Sequence, residues 1–362
     1  MTERYQSLDV FRGLTIALMI LVNTPGSWAY IYPPLAHADW HGYTPTDLVF
    51  PFFLVAVGLS LSFSMQKYAT AGNRAFYQKV LRRTLLIFLI GLALTAFPFY
   101  NKDYAQLRLL GVLQRIALAY LLAAMIIYNI NKTRQLLWIS GLSLTGYWLL
   151  LWLAGGPAPY ALETNLPRKI DLLVLGAAHM WHGKGIAFDP EGLLSTIPAM
   201  VSVISGYLFG LLIRRYTAME LVARILLLGN ALLLSGYAWD RVFPINKSLW
   251  TSSYVLVSSG IAAIVLGMLI YLIDIKKQQG WAQPFAAFGM NPLIIFVLSV
   301  LWVKIYFMIP VGGQNLYGWL YATVFKPIIN PTFGSLLFAL VHVAGCWLVA
   351  YILYRKKVYI KL

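Results

Sequence analysis

The sequence predicts an all-α integral membrane protein, a bundle of about ten transmembrane helices. Three observations lead there. Of the 362 residues, 60% are hydrophobic and only 11% are charged, with a mean hydropathy of +0.72, whereas soluble domains carry roughly 25% charged residues. So few charges cannot cover a water-facing surface, and hydrocarbon must cover much of it. The 12 Trp, 23 Tyr and 19 Phe suit a chain with two membrane interfaces, where amphipathic rings collect. Finally, the charges fall in short clusters between apolar runs.

Apolar runs able to cross roughly 30 Å of hydrocarbon begin near Gly13, Asp47, Thr84, Leu109, Leu136, Leu193, Ala223, Leu249, Phe285 and Phe333. No basic n-region and cleavage site precede the first, so it reads as a retained span. The second, fourth, sixth and eighth connections hold Lys67, Arg74, Lys79, Arg82 and Arg83, then Lys132 and Arg134, then Arg214, Arg215 and Arg224, then Lys276 and Lys277. The last segment adds Arg355, Lys356, Lys357 and Lys361. With Arg4 and Arg12, one side collects most of the 28 lysines and arginines. The positive-inside rule then predicts both termini in the cytoplasm. The net charge of +16 is thus a topology signal and predicts no nucleic-acid partner.

Cys346, the single cysteine, allows no internal disulfide and reads as a small packing residue. Neither a repeat nor a linker divides the chain, which is expected to be one membrane domain over 1–362. Gly206 and Gly210 make a small-xxx-small pair that packs helices within one chain or between two; a homodimer is the expectation.

Ionisable and amide groups inside spans are costly and are functional candidates. Asn23 lies about 15 Å along the first helix, at 1.5 Å per residue from Gly13. Asp47 opens the second helix, and Gln114 and Arg115 lie about two turns into the fourth, near 3.6 residues per turn. All four fall in the outer half of the membrane, beneath a loop carrying His37 and His41. An Asp47–Arg115 ion pair would explain two of them without function. A second polar layer, Asp9, Arg12 and Asn291, lies at the cytoplasmic ends. The outer loops, 31–46, 155–192, 239–248 and 308–332, hold four of the five histidines, including His179. They also bring Asp189, Glu191, Asn246 and Lys247, with Trp250 just beyond. Carboxylates bind an ammonium or hydroxyls, and an indole face stacks on a sugar ring or a cation. Asp189 also suits a simple helix cap. His37, Asp39 and His41 lack a third ligand at diagnostic spacing, so no metal is expected.

The segments SLDVFRGLTIALMILVN, HADWHGYTPTDLVFPFFLVAVG, GVLQRIALAY, DPEGLLSTIPA, FPINKSLWTSSYVL and GMNPLIIF resemble the transmembrane heparan-α-glucosaminide N-acetyltransferase family. The likeness runs from Ser7 to about Phe296 and is similar to the family's bacterial, inner-membrane branch. The resemblance implies transfer of acetyl from cytoplasmic acetyl-CoA to the amine of a glucosamine across the membrane. It places the family's catalytic histidine on His37 of His37-Ala38-Asp39-Trp40, its membrane asparagine on Asn23 and its aspartate before LVFP on Asp47. His41 stands where the animal enzyme has Asn, and the stretch from Asn23 to His37 is longer.

A glucosamine amine attacks a thioester only when unprotonated, and histidine is matched to take its proton near neutral pH. Asp47 would hold the imidazole, and the Asn23 amide would face the developing oxyanion. Trp40, His179, Asp189, Glu191, Asn246, Lys247 and Trp250 are the acceptor-side candidates. Asp9, Arg12, Gln114, Arg115 and Asn291 are the donor-side candidates, with Arg82 and Arg83 as further phosphate partners. Direct transfer and an acetyl-histidine intermediate both fit these groups. A sugar transporter, with similar spans and midplane polar groups, is the rival of a different class, and an acyltransferase acting on a larger envelope glycan is a third.

Overall fold

The computed structural model describes residues 5–65, 72–101, 103–130 and 132–360. Arg4, Lys67 and Lys361 lie outside them. The helices are α1 (Gln6–Asn23), α2 (Pro45–Ser64), α3 (Asn73–Ala96), α4 (Val112–Asn129), α5 (Thr133–Ala154), α6 (Leu166–Val174) and α7 (Thr196–Arg215). They continue as α8 (Ala218–Asp240), α9 (Ser252–Leu269, extended by a π-helical turn, Ile270–Ile275), α10 (Gln283–Met290), α11 (Pro292–Met308), α12 (Leu316–Trp319) and α13 (Pro331–Arg355). The only described sheet is a two-residue hairpin, β1 (Pro310–Val311) with β2 (Gln314–Asn315). The protein is an all-α membrane protein.

Eight described helices are long and apolar enough to cross a membrane: α1, α2, α4, α5, α7, α8, α9 with its extension, and α13. The pair α10–α11, bent by 80°, makes a ninth if counted as one span. The expectation was about ten; the remaining expected span, the third in order, falls on α3, a helix of 24 residues whose first half holds Arg74, Lys79, Arg82 and Arg83. The bend in the ninth has a local cause. Pro292 disfavours the helical region for the residue before it, and Asn291 sits at φ −133°, ψ 50°.

The chain gathers into two compact units. The first comprises the described parts of 1–38, 43–53 and 268–361. In it, α1 and α10 approach backbone to backbone, because both carry a glycine at the crossing. A Cβ on Gly13 would stand 1.7 Å from the Phe285 carbonyl oxygen, and one on Gly289 1.9 Å from that of Asp9. Asp274, in the π-helical turn, accepts from the Gln6 and Ser7 amides at 2.9 and 3.4 Å and so caps α1 from outside its own sequence.

The second unit comprises 39–42 and 54–267. Its crossings are also built on small residues. Gly58 and Gly206 pack α2 on α7, with Cβ positions 1.9 Å from the Val203 oxygen and 2.0 Å from that of Val55; Gly210 faces Ser62. The small-xxx-small pair therefore packs inside the chain. Gly229 and Gly260 bring α8 and α9 together in the same way. Such approaches suit helices in lipid, where packing replaces the hydrophobic drive.

Candidate active site

In the first unit, residues 44–47 read Thr-Pro-Thr-Asp and start α2 with a capping box. The Asp47 Oδ2 accepts from the Thr44 amide at 3.0 Å and from the Thr44 hydroxyl at 3.2 Å. It also accepts from the Ala38 amide at 3.0 Å. The Thr44 hydroxyl in turn bonds the Ala36 carbonyl at 2.6 Å. The loop and the helix start thus lock each other, and the other carboxylate oxygen is directed at one target. His37 Nδ1 lies 2.6 Å from Asp47 Oδ1. The Asp47 side chain is 2% exposed and that of His37 41%.

A carboxylate only accepts, so Nδ1 carries the proton, and the lone pair of the neutral imidazole sits on Nε2. This is the orienting half of a nucleophile–base–acid arrangement. Asn23 ends α1 with an exposed side chain. A small cleft is lined by Leu21, Val22 and Pro25 from that end of α1, by Leu35 two residues before His37, and by Ser335 and Leu336 of α13.

At the other end of α1, Arg12 Nη2 reaches Asp9 Oδ1 at 2.5 Å. The Asn291 amide, 1% exposed, is engaged by the chain after α13: Nδ2 donates to the Val358 carbonyl at 2.9 Å, and Oδ1 accepts from the Ile360 amide at 2.8 Å.

In the second unit, Arg115 is fully buried. Nη2 donates to the carbonyls of Pro190 and Gly192 at 3.1 and 2.9 Å and to the Ser195 hydroxyl at 2.6 Å; Nη1 donates to the Ser195 carbonyl at 3.2 Å. The turn from Asp189 to Ser195 is moulded on one guanidinium. Trp250, 1% exposed, lies 5.5 Å from it, ring to cation. Asp47 and Arg115, which an ion pair would have explained without function, each have partners in their own unit. The Trp250 indole is interior, spanning Arg115 and the Ser202 hydroxyl, instead of open to a sugar. Gln114 is buried against Gly91 and Gly111, and its Nε2 lacks a hydrogen-bond partner.

Asp189 and Glu191 are bound together by Arg108. Its Nε and Nη2 fork onto Asp189 at 3.0 and 2.7 Å, and Nη2 also meets Glu191 Oε2 at 2.5 Å. Burial disfavours the Arg108 charge, but its bonds to the two carboxylates more than offset this and raise its pKa. Trp181 lies 6.0 Å from the guanidinium.

Asp171 on α6 is fully buried; Oδ1 accepts from the Leu193 amide at 2.9 Å, and Oδ2 has no hydrogen-bond partner among the described residues. Burial and the Asp189 charge push its pKa up to about 6, against the opposing effects of the Leu193 bond and Arg115. Arg108 and Asp171 were missed by the sequence reading. One looks like an interfacial cation in LRLLG, and the other like the polar face of a short amphipathic helix.

The remaining candidates also lie in this unit. His179 Nδ1 meets the Leu107 carbonyl at 2.8 Å. Trp40 Nε1 donates to the Tyr160 carbonyl at 2.8 Å, its ring edge-on to Phe188. Asn246 accepts from the Leu249 amide at 2.8 Å, bracing the turn that holds Lys247, and its Nδ2 lies 3.5 Å from His41 Nδ1. Burial lowers the His41 pKa, partly offset by Asp240. Among the described residues no three His, Cys, Asp or Glu side chains gather as a metal site.

The family model described as "Heparan-alpha-glucosaminide N-acetyltransferase, catalytic" matches residues 4–162. That stretch holds His37, Asp47, Arg108 and Arg115. The chain is 28% identical to the heparan-alpha-glucosaminide N-acetyltransferase of Homo sapiens and 26% identical to that of Mus musculus, each over 99% of its own length. The chain is thus similar to this family, over residues 4–162 by the family model and over nearly all of its length by these two relatives. The chain spans 60% and 61% of the length of these two relatives. Within the family's matched region, the His37–Asp47 pair is the arrangement best prepared for proton transfer.

Proposed function

We propose that the chain is a transmembrane acetyltransferase that moves acetyl from acetyl-CoA to the amine of a terminal or free glucosamine. The observation that carries this reading is the His37–Asp47 pair, 2.6 Å apart, with Asp47 saturated by its capping box. The similarity to two relatives named as N-acetyltransferases of a glucosaminide supports the reaction class.

His37 Nε2 takes a proton from the attacking amine as its nitrogen bonds the thioester carbon. The C–S bond then breaks, and the proton leaves with the thiolate as CoA–SH. Asp47 holds the imidazole and stabilises the imidazolium. Asn23 donates to the carbonyl oxygen as charge grows there, an effect of roughly 3–4 kcal/mol in known oxyanion holes. Transfer is direct, without an acetyl-histidine. Asp189, Glu191, Trp40, His179, Asn246 and Lys247 shape the acceptor side, with Trp250 supporting it through Arg115. Arg12 meets donor phosphate, and Asp9, Gln114, Arg115 and Asn291 position the donor side. One membrane domain carries these groups. Both termini face the cytoplasm, the source of acetyl-CoA, in the bacterial inner membrane, with the acceptor on the opposite side.

The test is CoA release from acetyl-CoA by the purified protein, with and without glucosamine, for wild type and His37→Ala. Glucosamine-dependent release that the substitution abolishes supports the reaction and the base. No release by wild type with any amino sugar overturns the enzyme reading and returns the transporter.

A further inference from the structure

The end of the first unit that carries the N-terminus of α1 is built around an unusual use of Asn291. Its amide clips a backbone segment at two points, Val358 O and Ile360 N, as one strand pairs with another. The clipped segment directly follows three consecutive exposed cations, Arg355, Lys356 and Lys357. α13 ends in a Schellman turn: the Val358 amide bonds the Leu353 carbonyl at 2.9 Å, and the Lys357 amide bonds that of Tyr354 at 3.0 Å. The residue that takes the left-handed conformation there is Lys357, at φ +55°. Glycine is the ordinary choice there, because it has no Cβ to crowd the backbone.

Lys277 takes the same conformation at φ +57° after the π-helical turn, as Ala218, Trp250 and Ile329 do elsewhere. There the Gln278 amide bonds the Leu272 carbonyl at 3.0 Å. A chain of contacts places both turns at one end of this unit. Asp274 caps Gln6 and Ser7; Asp9, within the next turn of α1, packs on Gly289; Asn291 follows two residues later and holds the segment after Lys357. The cations gathered there are Arg12, Lys276, Lys277, Arg355, Lys356 and Lys357, against the acids Asp9 and Asp274. Cations at helix ends are expected on the inner side of a membrane, and they also complement a helix C-terminus. Neither role calls for an asparagine clip or for lysine where glycine ends a helix at lower cost.

We propose that segment 355–360 is an anion-binding arm: Lys356 and Lys357, with Arg355 beside them, take the phosphates of the donor's nucleotide, and Asn291 is the positioning residue that holds the arm in place. The inference rests on the acetyl-CoA reading above and assigns its phosphate subsite. Asn291 then serves the donor without touching it, because both ends of its amide are engaged by backbone. Phosphate is recognised by charge, and lysine suits it as a compact point charge. An anionic lipid headgroup offers the same chemistry, so the test must separate the two.

The experiment uses the full chain in nanodiscs, with glucosamine as acceptor. Three donors are compared: acetyl-CoA, acetyl-dephospho-CoA without the 3′-phosphate, and S-acetylpantetheine, which has no phosphate. The variants are Asn291→Ala and the double substitution Lys356→Ala with Lys357→Ala. For acetyl-CoA, KM should rise roughly tenfold or more with kcat held, the rise should shrink for acetyl-dephospho-CoA, and S-acetylpantetheine should be unmoved. Equal losses with all three donors, or no loss in the lysine variant, overturn the arm. Losses that follow the anionic lipid content of the disc and ignore the donor assign the arm to lipid and overturn it as well. A wild type that turns over none of the donors overturns the acetyl-donor reading itself, a result distinct from turnover unchanged by the substitutions.

Discussion

Asp47 carries two structural duties on two oxygens, and substitutions can separate them. Oδ2 closes the capping box with Thr44 while Oδ1 orients His37. In Asp47→Asn an amide keeps the shape but presents a donor to one side and favours the wrong histidine tautomer. Turnover should fall by roughly four orders of magnitude, as when a triad aspartate is amidated elsewhere. Thr44→Ala removes the hydroxyl's bonds to Asp47 and to the Ala36 carbonyl but keeps the amide's bond to Asp47, for about 1 kcal/mol of stability, and should leave most activity; CoA release beside thermal melting reads both. Asp171 makes a pH prediction. Its folded pKa, about 6, lies above the ordinary aspartate value of 3.8, so between these values the folded state binds the extra proton. Stability from this group is present at low pH and lost as pH rises through about 4 to 6. Asp171→Asn keeps the acceptor for the Leu193 amide and cannot titrate. The difference in melting temperature between variant and wild type should therefore grow in the variant's favour across that window. A flat difference means that Asp171 does not titrate there.

At the scale of helices, the chain is held by glycines at crossings. Gly206 faces the Val55 carbonyl and Gly58 that of Val203, each leaving no room for a methyl group, while Gly141 and Gly146 have nothing within 4 Å of a built Cβ. Gly206→Ala and Gly58→Ala should lower thermal stability by about 1–3 kcal/mol through overpacking. Gly141→Ala and Gly146→Ala should be neutral or gain up to about 1 kcal/mol of helix propensity. Equal effects at all four sites would mean that helix propensity, and not close approach, governs these positions. The sequence shows that Gly206 and Gly210 are spaced for packing but not which helix receives them. Local motifs were the more legible part. Asp47 reads as the opening of its helix, and the apolar runs announce the spans. Arg108 was hidden because its partners, Asp189 and Glu191, lie some eighty residues away. Trp250 looked available for stacking on a sugar because interfacial indoles usually are; its burial over Arg115 depends on a tertiary contact.

For the whole molecule, the cation asymmetry makes a claim about the membrane that one series of variants can decide. Cys346 is the only cysteine and is fully buried, so Cys346→Ala gives a background without reactive thiols, at a modest cost in packing. Exposed positions then receive one cysteine each: Ala158 between α5 and α6, Thr217 before α8, and Gln278 after the π-helical turn. The positive-inside rule places Thr217 and Gln278, beside Arg214, Arg215, Lys276 and Lys277, in the cytoplasm, and Ala158 on the far side. In intact cells a membrane-impermeant maleimide should label Ala158→Cys alone, and permeabilisation should expose the other two. The reverse pattern would put the arm formed by Lys356 and Lys357 on the side without acetyl-CoA and would sink the donor geometry along with the orientation. Labelling at Ala158 and Thr217 together would mean that an even number of crossings separates them. Then α7 would fail to span as assigned, or the short α6 would enter the membrane and change the count. The expected pattern supports a donor arm and an acceptor-side base at opposite ends of α1, whose Arg12 and Asn23 lie about 16 Å apart at 1.5 Å per residue. A thin pantetheine arm, and not movement of the sugar, would then carry acetyl across that distance.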